Sequence, residues 1–152
     1  MKREQFPSIA IRLCGPLVLM TAIFGALSAA ALADQTVKVD LWDKSDGTQG
    51  INLSTQEVNA GKVTFEITNA SKVMEHEFLI VKTDMTFDQM PMKDSGTKVD
   101  EDKLQGVQEI GDLEEGETKS WTTELTPGRY ILFCNERRHF PAGMRTTLMV
   151  NP

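Results

Sequence analysis

The sequence predicts an all-β fold, a sandwich of about seven or eight short strands. Three observations carry that expectation. Short runs alternate apolar and polar side chains, Gly, Asn and Pro punctuation separates them at hairpin-like distances, and no long helical period occurs beyond residue 33.

Taken in chain order, Thr36 to Trp42 places Val37, Val39 and Leu41 on one face. Lys62 to Thr68 does the same with Val63, Phe65 and Ile67, and Glu75 to Val81 groups His76, Phe78 and Ile80. Each run suits a half-buried strand, because successive side chains point to opposite faces of a sheet. Ser120 to Leu125 offers Trp121, Thr123 and Leu125. Thr126-Pro127-Gly128 is a turn leading into Arg129 to Cys134, where Tyr130, Leu132 and Cys134 share a face. Met144 to Val150 closes the chain with Met144, Thr146, Leu148 and Val150 on one side. Turn signals fall at Asp46-Gly47, Asn59-Ala60-Gly61, Gly111 and Glu115-Gly116. Around residues 84–108 the alternation lapses, and Pro91, Gly96 and a mixed polar run predict an irregular excursion with a short helix near Asp100 to Leu104. A loop of that length is functional or mobile.

The first 33 residues read as a cleaved secretory signal peptide. Lys2, Arg3 and Arg12 are positive, Leu13 to Leu27 is apolar, and Ala31-Leu32-Ala33 is a small-x-small cleavage site before Asp34. The rival, a retained membrane anchor, needs about 20 apolar residues free of helix breakers; Gly15, Pro16 and Gly25 interrupt this stretch. The expected domain is therefore residues 34–152, with a periplasmic location and no membrane insertion of the mature chain.

Composition narrows the function classes. The 152 residues are 40% hydrophobic and 25% charged, which excludes collagen, coiled coil and wholesale disorder. A net charge of −6 argues against nucleic acid as a partner, since binding it requires a basic surface. Removing Lys2, Arg3, Arg12 and Glu4 with the leader leaves 13 basic and 21 acidic residues, a net of −8. Two Cys and two His in the whole chain exclude a disulfide scaffold and a four-cysteine zinc site. Cys14 departs with the leader, so one thiol, Cys134, remains beside His76 and His139. An unpaired thiol in an oxidising compartment must be buried or coordinated.

Cys134, His139 and Met144 form Cys-x4-His-x4-Met between two expected strands, with His76 on a strand upstream. One thiolate, two imidazoles and one thioether suit a copper ion cycling between Cu(I) and Cu(II): soft and imidazole donors in a trigonal plane, with a weak axial sulfur. Zinc prefers four strong ligands. Each residue also has a plainer reading. A lone Cys on an apolar strand is commonly a small core residue, His76 could be a hydrogen-bonded core histidine, and Met144 could be core, with water, a carbonyl or another side chain in the axial place.

The segments Gly128-Arg129-Tyr130-Ile131-Leu132-Phe133-Cys134-Asn135, His139-Phe140-Pro141-Ala142-Gly143-Met144 and Glu75-His76-Glu77-Phe78 resemble the cupredoxins, the blue-copper family that includes plastocyanin, azurin and rusticyanin. The resemblance covers most of residues 34–152 as strand layout and is specific at 128–150. It implies a Greek-key β-sandwich with one copper at its end. His76, Cys134 and His139 would be equatorial ligands, Met144 the axial one, and His139 the exposed ligand through which electrons leave.

Two departures from the family pattern stand out. Glu77 follows the strand histidine where many members carry Asn, which ties the ligand loop, and Glu136-Arg137-Arg138 is charged where related loops have Pro and Gly. Arg137, Arg138 and Arg145 would form a basic collar, read as a docking feature or a solvated rim. Asp100 to Glu117 holds eight acidic residues against Lys103, read as a solvated flank or a steering field. Met85, Met90 and Met92 could plug a core or hold Cu(I).

The expected function is an exported mononuclear copper protein that carries single electrons and is not an enzyme, since both histidines are taken by the metal and no nucleophile–base pair remains. A monomer, it would meet a redox protein such as a cytochrome or a terminal reductase or oxidase, with Phe140, Pro141 and Ala142 as a small apolar contact patch. The alternative is a periplasmic copper-handling protein serving tolerance, sequestration or delivery.

Overall fold

Residues 35–152 are described by a computed structural model; the expected leader lies outside them. Eleven strands run in order: β1 (Gln35–Asp43), β2 (Gln49–Leu53), β3 (Glu57–Asn59), β4 (Gly61–Asn69), β5 (His76–Lys82), β6 (Met92–Lys93), β7 (Lys98–Val99), β8 (Gln108–Leu113), β9 (Thr118–Leu125), β10 (Gly128–Phe133) and β11 (Arg145–Asn151). Nine of them build two sheets, ordered β2-β1-β4-β9 and β3-β11-β10-β5-β8, and β6 and β7 form a separate two-stranded ribbon. β1 runs parallel to β4 and β3 parallel to β11; the remaining pairs are antiparallel. The all-β sandwich expectation holds, and the chain passes repeatedly from sheet to sheet in the Greek-key manner.

The main core lies between the sheets. Val37, Val39 and Leu41 of β1 and Val63, Phe65 and Ile67 of β4 meet Phe78, Ile80, Tyr130, Leu132, Leu148 and Val150 from the opposite sheet. Phe65 stacks on Trp121, with ring centroids 5.8 Å apart, and tilts against Phe78 at 5.7 Å. Where β9 passes to β10, the Tyr130 hydroxyl donates to the Thr126 carbonyl (3.0 Å) and accepts from the Thr126 N–H (3.1 Å), pinning the turn that feeds β10.

A second core covers the outer face of the five-stranded sheet. Leu79, Val81, Ile131 and Phe133 pack there against Met90, Val99 and Phe140, with Phe87, Met92, Leu104 and Val107 at the margin. The excursion around 84–108 is thus a lid of short 3₁₀ turns and the β6–β7 ribbon laid over β5 and β10. It holds one 3₁₀ turn at Glu101–Lys103 where a short helix was expected. Met90, 3% exposed, plugs this layer, Met92 packs beside it and Met85 stays exposed, so the Met-x-Met serves packing. Among the described residues, no helix is long and apolar enough to cross a membrane.

Candidate metal centre

The four sequence-selected residues come from three neighbouring strands of one sheet. His76 opens β5, Cys134 follows β10 directly, Met144 precedes β11, and His139 sits on the intervening loop. His76, Cys134 and Met144 are fully buried and His139 is half-buried. The structure places His76 Nδ1 3.2 Å from His139 Nδ1 and Cys134 Sγ 3.3 Å from His139 Nδ1. One donor atom from each of His76, Cys134 and His139 lies within 4.8 Å of the others. Donors bound about 2.0–2.3 Å from one first-row ion stand about 3–4 Å apart, so this triangle fits a single metal.

Backbone hydrogen bonds hold the loop as a tight coil. Cys134 N–H donates to the Met144 carbonyl (3.1 Å), Met144 N–H to the His139 carbonyl (3.0 Å), and His139 N–H to the Glu136 carbonyl (3.0 Å). Gly143 stands at φ 111°, where a side chain would be strained, and a Cβ there would sit 3.4 Å from the Gln49 carbonyl of β2. Arg138, at φ 73°, takes a left-handed conformation without glycine's freedom, and its N–H donates to the Thr97 carbonyl at 2.8 Å.

The tie that Glu77 lacks comes from other residues. Asn135, 1% exposed, accepts from Val99 N–H (2.7 Å) and donates to the Val99 carbonyl (3.1 Å) and the Glu101 carboxylate, binding the ligand loop to the lid. Asn69 performs the same service before β5. Its amide donates to the Met74 and Leu113 carbonyls, its carbonyl accepts from Ser71 N–H, and so the approach to His76 is fixed. Sequence reading did not find these ties; the signal available was an Asn immediately beside a ligand in one case and an Asn ending a strand in the other.

Burial favours the neutral forms of the donor groups. Burial pushes the Cys134 thiol up to about 12, while N–H groups of Glu136 and Glu77 pull the other way, the latter at 3.3 Å from Sγ. Burial first, and then the neighbouring His139, holds His76 below the ordinary imidazole range; burial lowers His139 likewise. Both rings are thereby kept neutral and available as donors. Glu77 is half-buried with its carboxylate in a cluster with Asp112 and Glu136, and burial followed by the Glu136 charge raises it to about 7.

Acidic groups stand beside the arginines of the expected collar. Arg137 and Arg138 are exposed, but Glu75, Glu114 and Glu115 line a cleft of about 290 Å³ on the His76 side. Arg145 is half-buried, its guanidinium over the rings of Phe87 (4.8 Å) and Phe140 (4.9 Å), and it lines a shallow pocket with Pro141. Phe78, Phe133 and Phe140 are buried around the site as expected, and Pro141 and Ala142 are exposed beside His139.

Residues 41–151 match the family model described as copper binding proteins, plastocyanin/azurin family. Among solved structures, the fold is similar to rusticyanin from Thiobacillus ferrooxidans, at 16% identity and TM-score 0.58 over 76% of each chain. It is also similar to auracyanin B, at 21% identity and TM-score 0.54 over 78% of this chain and 89% of that one. Dithionite-reduced auracyanin from Roseiflexus castenholzii gives 18% identity and TM-score 0.51 over 79% and 99%. No curated protein matches the chain by sequence.

Proposed function

The chain belongs to the plastocyanin/azurin family of copper-binding proteins, and from that premise we propose an exported one-electron carrier with copper held by His76, Cys134, His139 and Met144. The convergence of two imidazole nitrogens and one thiol in a buried pocket carries this reading. When bound, copper supplies the one-electron couple between Cu(I) and Cu(II).

The protein's part is geometric. His76, Cys134 and Met144 sit at the ends of the three central strands of one sheet, so they move little when charge changes. Phe78, Phe133 and Phe140 exclude water, and half-buried His139 beside exposed Pro141 and Ala142 gives electrons a short path to a weakly docked redox protein. Loading requires the Cys134 proton to leave, because thiolate is the ligand form. Export through residues 1–33, cleavage before Asp34 and a periplasmic location complete the proposal, with a cytochrome or a terminal reductase or oxidase as partner. The partner carries the chemistry, and the chain itself is not an enzyme. The Met90-Pro91-Met92 motif, which would have favoured copper handling, is occupied with core packing.

Adding Cu(II) to the purified 34–152 domain and recording visible and EPR spectra tests the assignment. An intense thiolate-to-copper band is expected in the wild type and is lost in Cys134→Ser; a folded wild type without that band would overturn it.

A further inference from the structure

The last residue of β1 is a buried carboxylate aimed at the back of a ligand. The Asp43 side chain is 8% exposed and that of His76 is 0%, and Asp43 Oδ1 stands 3.4 Å from His76 Nε2. Among the described residues neither atom has a hydrogen-bond partner: the two face each other without closing a bond of good geometry. A buried carboxylate oxygen or imidazole N–H left unpaired is costly, so two such atoms facing each other are each other's remedy. The opposite ring nitrogen, Nδ1, faces His139 and the pocket.

Backbone geometry puts Asp43 there. β1 and β4 run parallel with Leu41 opposite Asn69, and Ala70 N–H donates to the Leu41 carbonyl at 2.8 Å, so β1 ends beside the segment that enters β5. Trp42 next to it lies flat on Gly50 of β2, where a Cβ would stand 2.7 Å from the indole.

We infer that Asp43 is a positioning residue for His76: its carboxylate accepts the Nε2 proton, holds the ring in the tautomer whose Nδ1 faces the metal, and favours the more positive oxidation state. The inference rests on the reading of His76 as a copper ligand. Neutral imidazole carries one proton, and placing it on Nε2 leaves the Nδ1 lone pair free. A carboxylate behind a ligating histidine also raises its donor strength, and its negative charge stabilises Cu(II) relative to Cu(I).

Two variants separate these effects. Asp43→Asn keeps an acceptor oxygen but removes the charge; Asp43→Leu removes both. Nitrogen-15 NMR of the metal-free protein should show His76 protonated at Nε2 in the wild type and in Asp43→Asn, and lose that preference in Asp43→Leu. In the copper-loaded protein, Asp43→Asn should shift the one-electron equilibrium about tenfold toward the reduced state, about 59 mV, while keeping the charge-transfer band. Asp43→Leu should weaken copper retention about 10- to 100-fold against a chelator. A wild-type His76 protonated at Nδ1, or an Asp43→Asn potential unchanged or lowered, would overturn the inference. The NMR result is read without copper, so a failed tautomer assignment is distinct from a missing charge-transfer band, which would instead sink the copper-ligand reading.

Discussion

At the residue scale, the two histidines differ in what surrounds them although both point Nδ1 into the pocket. His76 is sealed by β1 and the approach segment from Asn69, with Asp43 behind it, whereas His139 is half-exposed on a loop next to Pro141 and Ala142. Truncating each to glycine should therefore give unlike results. His139→Gly opens a channel to solvent, and millimolar imidazole is expected to refill it and restore the charge-transfer band. His76→Gly leaves a buried void beside an unpaired Asp43 and should regain little or nothing under the same titration. Equal rescue of both variants would show that the exposed ligand has been misassigned. The convergence of His76, Cys134 and His139 was legible in the sequence because so few metal-binding side chains were available. Asp43 was not: nothing local marks a carboxylate that meets its partner only after β1 and β4 pair in parallel.

At the element scale, legibility followed exposure. β1, β4 and β9 read cleanly because one face is buried and the other wet, giving strict alternation. β5 and β10 carry unbroken apolar runs, Phe78 to Val81 and Tyr130 to Phe133, because the lid buries their second face. β2, β3 and β8 were missed; β2 and β3 are short, and β8 is an edge strand carrying Gly111 and polar residues, so none repeats the period enough to announce itself. The lid also explains how the ligand loop tolerates Glu77. Asn135 and the Thr97 carbonyl hold that loop from outside the sandwich, so a strap in the excursion substitutes for a side chain beside His76. Asn135→Ala removes both bonds to Val99 and the one to Glu101, and leaves the Val99 N–H without an acceptor. A loss of about 2–4 kcal/mol is expected by urea denaturation, from the unsatisfied group and three lost hydrogen bonds. A loss below about 0.5 kcal/mol would show that the strap does not hold the loop.

At the scale of the whole molecule, the metal centre sits where the two cores meet. β5, β10 and β11 are consecutive in one sheet, and their ends or adjoining loop supply all four proposed ligands. β5 and β10 contribute side chains to both hydrophobic clusters. The site is therefore expected to persist as long as the sandwich does, unlike a site carried on a surface loop alone. A ligand that binds only the folded state stabilises it by about 4 kcal/mol at a thousandfold excess over its dissociation constant. Copper-loaded protein should accordingly unfold at higher denaturant than metal-free protein, and Cys134→Ser should lose most of that increment. Moreover, bleaching of the charge-transfer band and loss of far-UV circular dichroism should trace one transition, as expected of a single cooperative domain of this size. Bleaching that runs well ahead of backbone unfolding would mean that the loop from Cys134 to Met144 opens on its own, and that Asn135, Arg138 and the lid do not bind it to the core.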